Sequence, residues 1–364
     1  MTAIPNVGGR DIAQILAPQG ERRQPIPGFD PEYADIVDYI LRCTHRIWEQ
    51  KDVGLIATHY SNDIVVHMMT GPAYGLDDVI AGTSRTLSAF PDRTLTGEAV
   101  IWSDAKDLAG GGAYLSSHRI TSTATNLGTS ELGPATGKRI TFTTIADCLC
   151  RENLIIEEWL VRDYSAMALQ LGYHPRAVAR THAAADKAKG GKAKGGTAKG
   201  GRAEWRQVAI ARIMDSAPAS FTNHAMPGPA QDPHAFAQAF FDQIIALRRF
   251  ARVREVYSPA AHWAGPGGRR LFGWGEIAGW YTALIGSFGD ARIHIQHIAA
   301  VDDMIAVRWE LAGTHDGAAL YGAATGEPVY ILAVTHWRIA HGMIADEVTV
   351  FDEVALMRQM EGGL

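Results

Sequence analysis

Glu158 and Glu347 lie in matching contexts, IIEEWLVRD and IADEVTVFD, 189 positions apart. A carboxylate on a strand facing an apolar interior is disfavoured in its ionised form, so its pKa climbs toward neutrality and it becomes a usable general base or acid. The competing reading is an ion pair at a rim or between repeats. Asp147 and His336 share one equivalent slot and differ, as expected where function sits in only one copy. A mid-strand aspartate needs a partner when buried, and a histidine beside Trp337 could shuttle protons; both could instead face solvent or the other repeat. His67 and His262 follow the first helix of each repeat and could orient a substrate oxygen, or be satisfied structural residues among neighbours such as Val65, Val66 and Met68. His118, in SSHRITS, stands where the second copy has Val307, and Ser122 where it has Leu311, so the first interior is read as the more polar one. Facing inward, His118 would serve as an acid or hydrogen-bond donor to a substrate oxygen; facing outward, it is surface. Carboxylate and imidazole together are the equipment of acid–base chemistry on C–H, C–C and C–O bonds.

The elements that would position these residues occur twice. A shift of 189 superposes Arg119 on Arg308, Thr136-Gly137 on Thr325-Gly326 and Asp163 on Asp352 without a gap. Earlier matches, Tyr60-Ser61 on Tyr257-Ser258, Gly75 on Gly273, Phe90 on Phe288 and Asp92 on Asp290, need shifts of 197 to 198, which places an insertion near residues 103–112. Asp30-Pro31 and Asp232-Pro233 suit an N-cap followed by proline at the first helical position. Tyr33, Ile36, Val37, Ile40, Leu41, Thr44, Ile47 and Trp48, and then Phe236, Phe240, Ile244 and Leu247, follow the spacing of one apolar helix face. Second helices are expected at 77–89 and 276–288. Strands follow at 95–102, 112–126, 138–151 and 154–162, and at 292–300, 304–315, 327–340 and 343–351. Each copy closes on a short helix, 164–171 and 353–360. Helices followed by a run of antiparallel strands give an α+β unit with a ligand site between helices and sheet. The expected order is an arm (1–29), a first domain (30–180), a flexible Lys/Ala/Gly tether (181–203), a docking arm (204–231) and a second domain (232–364). Asp163 and Asp352 precede helices and read as caps, while Arg119 and Arg308 read as partners of sheet carboxylates.

With 47% hydrophobic residues, 20% charged residues and a net charge of −5, the chain has no basic surface to draw it to nucleic acid or an anionic membrane. No 18-residue apolar run and no secretory signal is visible, so the cytoplasm is the default. Three cysteines, Cys43, Cys148 and Cys150, read as reduced core residues, the last two on opposite faces of a strand. The chain carries no GxGxxG, phosphate loop, GxSxG, HExxH or paired CxxC. His294 and His297 read as facing opposite ways on a strand, and neither metal nor cofactor is expected.

HRIWEQKD, HYSNDIVVH and TGKRITFTTIADCLCRENLIIEEWLVRDYSAMALQLG resemble the polyketide-cyclase-like, or ester-cyclase-like, branch of the nuclear transport factor 2-like superfamily. The second copy carries the same marks in AGTHDGAALYGAATGEPVYILAVTHWRIAHGMIADEVTVFDEVALMRQM. The resemblance implies two tandem cone-shaped α+β barrels, each with N-terminal helices packed on a curved antiparallel sheet, a deep apolar pocket, acid–base catalysis and no cofactor. The family's catalytic aspartate falls on Leu160 and Thr349 and its partner histidine on Ala146 and Thr335, so anthracycline-type ring closure is not supported. The expectation is a cofactor-independent lyase or isomerase, of retro-aldol or cyclase-like type. Its substrate would be a small hydrophobic, aromatic hydroxy or carbonyl compound, and the first repeat would be the active one. A hydrolase such as an epoxide hydrolase, and a non-catalytic binding or scaffold pseudo-dimer, are the alternatives. The repeats are expected to pack together, with homo-oligomers also possible.

Overall fold

A computed structural model describes residues 22–190, 202–216 and 225–363. Contacts divide the chain into two compact units. Of the described residues, the first holds 22–68, Pro72–Arg162 and Gln170–Gly172; the second holds Met69–Gly71, Asp163–Leu169 and those from Tyr173 to 363.

In the first unit, α1 (Ile36–Trp48) lies on a six-stranded sheet of β1 (Tyr60–His67), β2 (Ala73–Tyr74), β3 (Thr94–Asp104), β4 (Tyr114–Thr125), β5 (Arg139–Arg151) and β6 (Leu154–Arg162), with α2 (Gly75–Ala89) between β2 and β3. The strand order is β2-β1-β6-β5-β4-β3. The expected strands form the antiparallel β3-β4-β5-β6 run, and β1, within HYSNDIVVH, joins β6 in parallel. The first sheet is therefore mixed, with β2 and β3 at its edges. A different aspartate starts α1: Asp35 caps it by accepting from the Asp38 N–H at 2.8 Å, and Asp30 lies outside the helix. The core sits between α1 and the sheet, where Ile36, Ile40, Ile47, Val66, Val100 and all three cysteines are buried. Cys148 and Cys150 are two positions apart on β5 and enter this one cluster, which overturns their assignment to opposite faces, since side chains alternate with period two.

The second unit repeats the plan with α6 (Pro233–Phe240), β7 (Tyr257–Gly265), β8 (Arg269–Phe272), α7 (Gly273–Gly286), β9 (Arg292–Val301), β10 (Met304–Thr314), β11 (Pro328–Ala340), β12 (Met343–Val350) and α8 (Glu353–Met360), in the order β8-β7-β12-β11-β10-β9. Asp232 caps α6 by accepting from Ala235 N–H, and Asp352 caps α8 through Ala355 N–H. Asp163 caps α3 (Tyr164–Leu171) through Ala166 N–H and also accepts from the N–H groups of Gly267 and Gly268. The shared Thr-Gly turns are built alike. Gly137 and Gly326 hold φ near +69° and +73°, and their N–H groups donate to the Asn126 and His315 carbonyls; glycine takes that conformation without the Cβ clash.

The stretch read as a tether starts inside α4 (Pro175–Gly190) and ends at α5 (Arg202–Met214); residues 191–201 lie outside the described residues. Arg358 binds Asp186 of α4, and Arg212 of α5 forks onto the buried Glu310 at 2.8 and 2.6 Å. Both helices therefore belong with the second unit. A register shift beside Arg308 sets His297 opposite Arg308 and His294 opposite Glu310. Those partners share one face of β10, so the bulge reverses the expectation for this histidine pair.

Candidate active site

Strand parity decides which side chains reach the interior of each unit. On β4, the even positions from Tyr114 to Ala124 are buried while the odd ones from Arg119 onward are half-exposed. His118 pairs with Ala146 and Val100, and Ser116 with Cys148 and Trp102. Glu158 pairs with Cys148 on β6. All share the face that packs against α1.

His118 is 2% exposed. Its Nδ1 lies 3.3 Å from the Thr44 hydroxyl on α1, and its Nε2 has no hydrogen-bond partner among the described residues. Burial pushes its pKa down to about 3, so the ring is neutral at physiological pH. Glu158 moves the other way. Burial raises it to about 7, opposed by a hydrogen bond from the Tyr60 phenol and by the Arg162 guanidinium. At neutral pH the group is present in both protonation states, as a proton-transfer residue requires. Burial and the Glu158 charge in turn push the Cys148 thiol well up, so no thiolate competes for the role.

Further along this face, Arg93 (2% exposed) donates to the Ser122 hydroxyl from Nε and Nη2 and lies over the Trp48 and Phe142 rings at 4.3 and 5.3 Å. Arg162 (5% exposed) donates to Thr144 Oγ1 at 3.4 Å, its guanidinium 6.0 Å from the Phe142 ring centre.

In the second interior the equivalent glutamate is held by a ring of donors. Glu347 accepts from Tyr257, from Tyr281 at 2.8 and 2.9 Å, from Trp263 at 2.7 Å, from Trp337 at 3.0 Å and from Thr349 at 2.6 Å. Phe240 packs edge-on against Trp337 at 4.7 Å, and Phe241 lies tilted against Trp309 at 5.5 Å. A carboxylate has about four lone-pair directions, and these donors occupy them. Thr335 and Thr349, where the first unit has Ala146 and Leu160, bond each other at 2.7 Å, and Trp309 donates to Thr335.

The structure thus brings His118 and Glu158 to one interior and Glu347 to the other. It does not bring the remaining candidates there. Asp147 pairs with Ser117 and Trp159, and His336 with Ala306 and Val348. These are the opposite faces, because one residue from the family's histidine slot is the wrong side of the pleat. Ser117 donates to Asp147. His67 is stacked on Trp159 at 5.1 Å with Nε2 2.7 Å from Glu157, again on the outer face. His262 is exposed against Phe272.

Sequence reasoning passed over Thr44, Tyr60, Arg93, Thr144 and Arg162. The signal was in the repeat. Arg93, His118, Ser122, Thr144 and Arg162 align with Ala291, Val307, Leu311, Ala333 and Phe351, which are all buried and apolar. The registers agree: Ser122 faces Phe142 as Leu311 faces Ile331, and the Arg93 and Ala291 N–H groups close the same turn onto Phe90 and Phe288. Among the described residues no cluster of His, Cys, Asp and Glu could hold a metal ion, and no helix is long and apolar enough to cross a membrane.

The family model described as SnoaL-like polyketide cyclase matches residues 39–171 and again 235–360. Similar solved structures include a protein named for the SnoaL-like polyketide cyclases from Jannaschia sp. CCS1, 18% identical, covering 39% of this chain and 100% of that one with a TM-score of 0.35. Another is IdmH, a candidate polyketide cyclase from Streptomyces antibioticus, 21% identical over 34% of this chain and 94% of its own, TM-score 0.30. Among curated proteins none matches.

Proposed function

The chain belongs to the SnoaL-like polyketide cyclase family in both of its repeats, and from that premise we propose that it is a cofactor-independent acid–base enzyme, of lyase or isomerase type, whose chemistry is done in the interior of the first unit. The observation that carries this is the contrast between the two glutamates. Glu158 is raised to about 7 on the same face as a histidine nitrogen that has no hydrogen-bond partner among the described residues, whereas Glu347 is surrounded by donors.

The step follows from those groups. Glu158 takes a proton from carbon next to a substrate carbonyl, and the electron pair left behind moves onto the carbonyl oxygen as an enolate. We take the His118 tautomer in which Nδ1 accepts from the Thr44 hydroxyl 3.3 Å away; the neutral ring then donates its Nε2–H to that oxygen, as a fixed dipole that needs no reorganisation. Return of the proton from Glu158 to a different carbon completes an isomerisation. The same enolate forms in a retro-aldol when Glu158 accepts the hydroxyl proton, the adjacent C–C bond breaks and an aldehyde leaves; return of that proton from Glu158 to the enolate carbon gives the carbonyl product and restores the base. Tyr39, Trp48 and Trp102 around the first core suit an aromatic substrate. The second unit, by this reading, is a structural partner.

The test is deuterium wash-in from D2O at C1 of 2-tetralone, whose benzylic C–H adjoins a carbonyl, followed by mass spectrometry without added cofactor. Because the base is needed ionised, the catalysed rate is expected to rise with pH through about 7 and level off above it. His118, lowered to about 3, adds no descending limb between pH 5 and 9. A rate that equals buffer background, or is flat over that range, would overturn the proposal.

A further inference from the structure

We infer that the first interior takes a substrate bearing a carboxylate, held by the Arg93 and Arg162 guanidinium groups with the Ser122 and Thr144 hydroxyls beside them. The inference rests on the reading of that interior as the ligand site.

Both guanidinium groups are more than nine-tenths buried on the face that carries His118, and both lie by the ring of Phe142. Burying a guanidinium is costly, and its planar fork of donors matches a carboxylate bidentately. The second unit shows that the fold does not need them. At the equivalent positions it packs Ala291 and Phe351, with Leu311 and Ala333 in place of the two hydroxyls, and all are buried. The polar set therefore belongs to what the first unit does. Its place on the sheet adds a geometric condition. Ser122 stands four residues beyond His118 on β4, roughly 13 Å at strand rise. A carboxylate at the arginines would thus put the reacting carbon of an elongated, ring-containing ligand beside His118 and Glu158. Nε2 of His118 has no hydrogen-bond partner among the described residues.

The experiment is fluorescence titration of the full chain with anthracene-2-carboxylate and with its neutral isostere, anthracene-2-carboxamide. The wild-type protein is expected to bind the carboxylate at least about 10-fold more tightly, and Arg93→Met and Arg162→Met, which keep the packing over the rings, to shrink that ratio below about threefold while the amide affinity holds. Arg162→Lys, which keeps the charge, is expected to retain most of the preference. The wild-type ratio needs no variant, so it remains readable even if a methionine variant folds poorly. Equal affinities in the wild type, or a preference that survives the double methionine variant, would overturn the inference. His118→Trp, which fills the interior, separates the two levels. If it abolishes binding of both probes while the wild-type ratio is near one, the carboxylate inference alone fails; if both still bind, the ligand site itself is misplaced and both readings fail.

Discussion

Replacing Glu347 with alanine is expected to destabilise the second unit by about 4 kcal/mol, measured as a drop in its urea unfolding midpoint, because it leaves several buried donors with no acceptor. The Tyr257 and Tyr281 hydroxyls and the Trp263 and Trp337 indole N–H groups converge on this one carboxylate from β7, α7 and β11. Each orphaned buried donor costs about 1–3 kcal/mol, less where water can enter the space vacated. The matching residue in the first unit is expected to behave in the opposite sense. The folded pKa of Glu158, about 7, lies above the 4.5 of an ordinary glutamate, which stands for the unfolded chain. Its contribution to stability is therefore full below the unfolded value and declines as pH rises through about 7. Glu158→Gln is expected to leave the first unit as stable as the wild type at about pH 4 and more stable at pH 8. An unchanged midpoint for Glu347→Ala would remove the distinction between a structural and a reactive glutamate.

Glu158→Gln is also expected to lower the rate of deuterium exchange into 2-tetralone by about 10³-fold, within the range that a positioned general base supplies. The amide keeps the shape and a contact to Tyr60 but cannot accept the carbon's proton. The residual rate should lose its rise through about pH 7, since the group that titrates there is gone. A variant that retains the pH profile with reduced amplitude would mean that another base does the work.

Most of the architecture was legible because it rests on period. The strands expected at 138–151 and 343–351 are found at Arg139–Arg151 and Met343–Val350, and both closing helices fall where their apolar spacing puts them. What escaped was whatever depends on a single position or on a partner distant in sequence. The helix cap is Asp35 rather than Asp30, a matter of which aspartate meets a free N–H. The parallel pairing of β1 with β6 is non-local. Asp147 failed by parity alone: shared between copies as a slot and varied in residue, it looked like a site, yet one residue along a strand is the other face of the sheet. Glu158 was legible because counting in twos sets it on the face of Leu160, and His118 because Val307 stands at its place in the second copy, which left its facing open. Arg93 and Arg162 were not, because a buried arginine is uncommon enough that sequence reasoning leaves it at the surface. Comparing the repeats position by position along the interior face exposes them.

The central claim is that the polar interior of the first unit, and nothing in the second, performs the chemistry. His118→Val tests it most directly, since valine is the residue that the second unit carries at this place, as Val307, fully buried in its core. With Glu158 untouched, deuterium exchange into 2-tetralone at pH 8 is predicted to fall at least about 100-fold through loss of the oxyanion donor, while the unfolding midpoint stays level or rises. Wild-type exchange in a folded His118→Val protein would contradict the account.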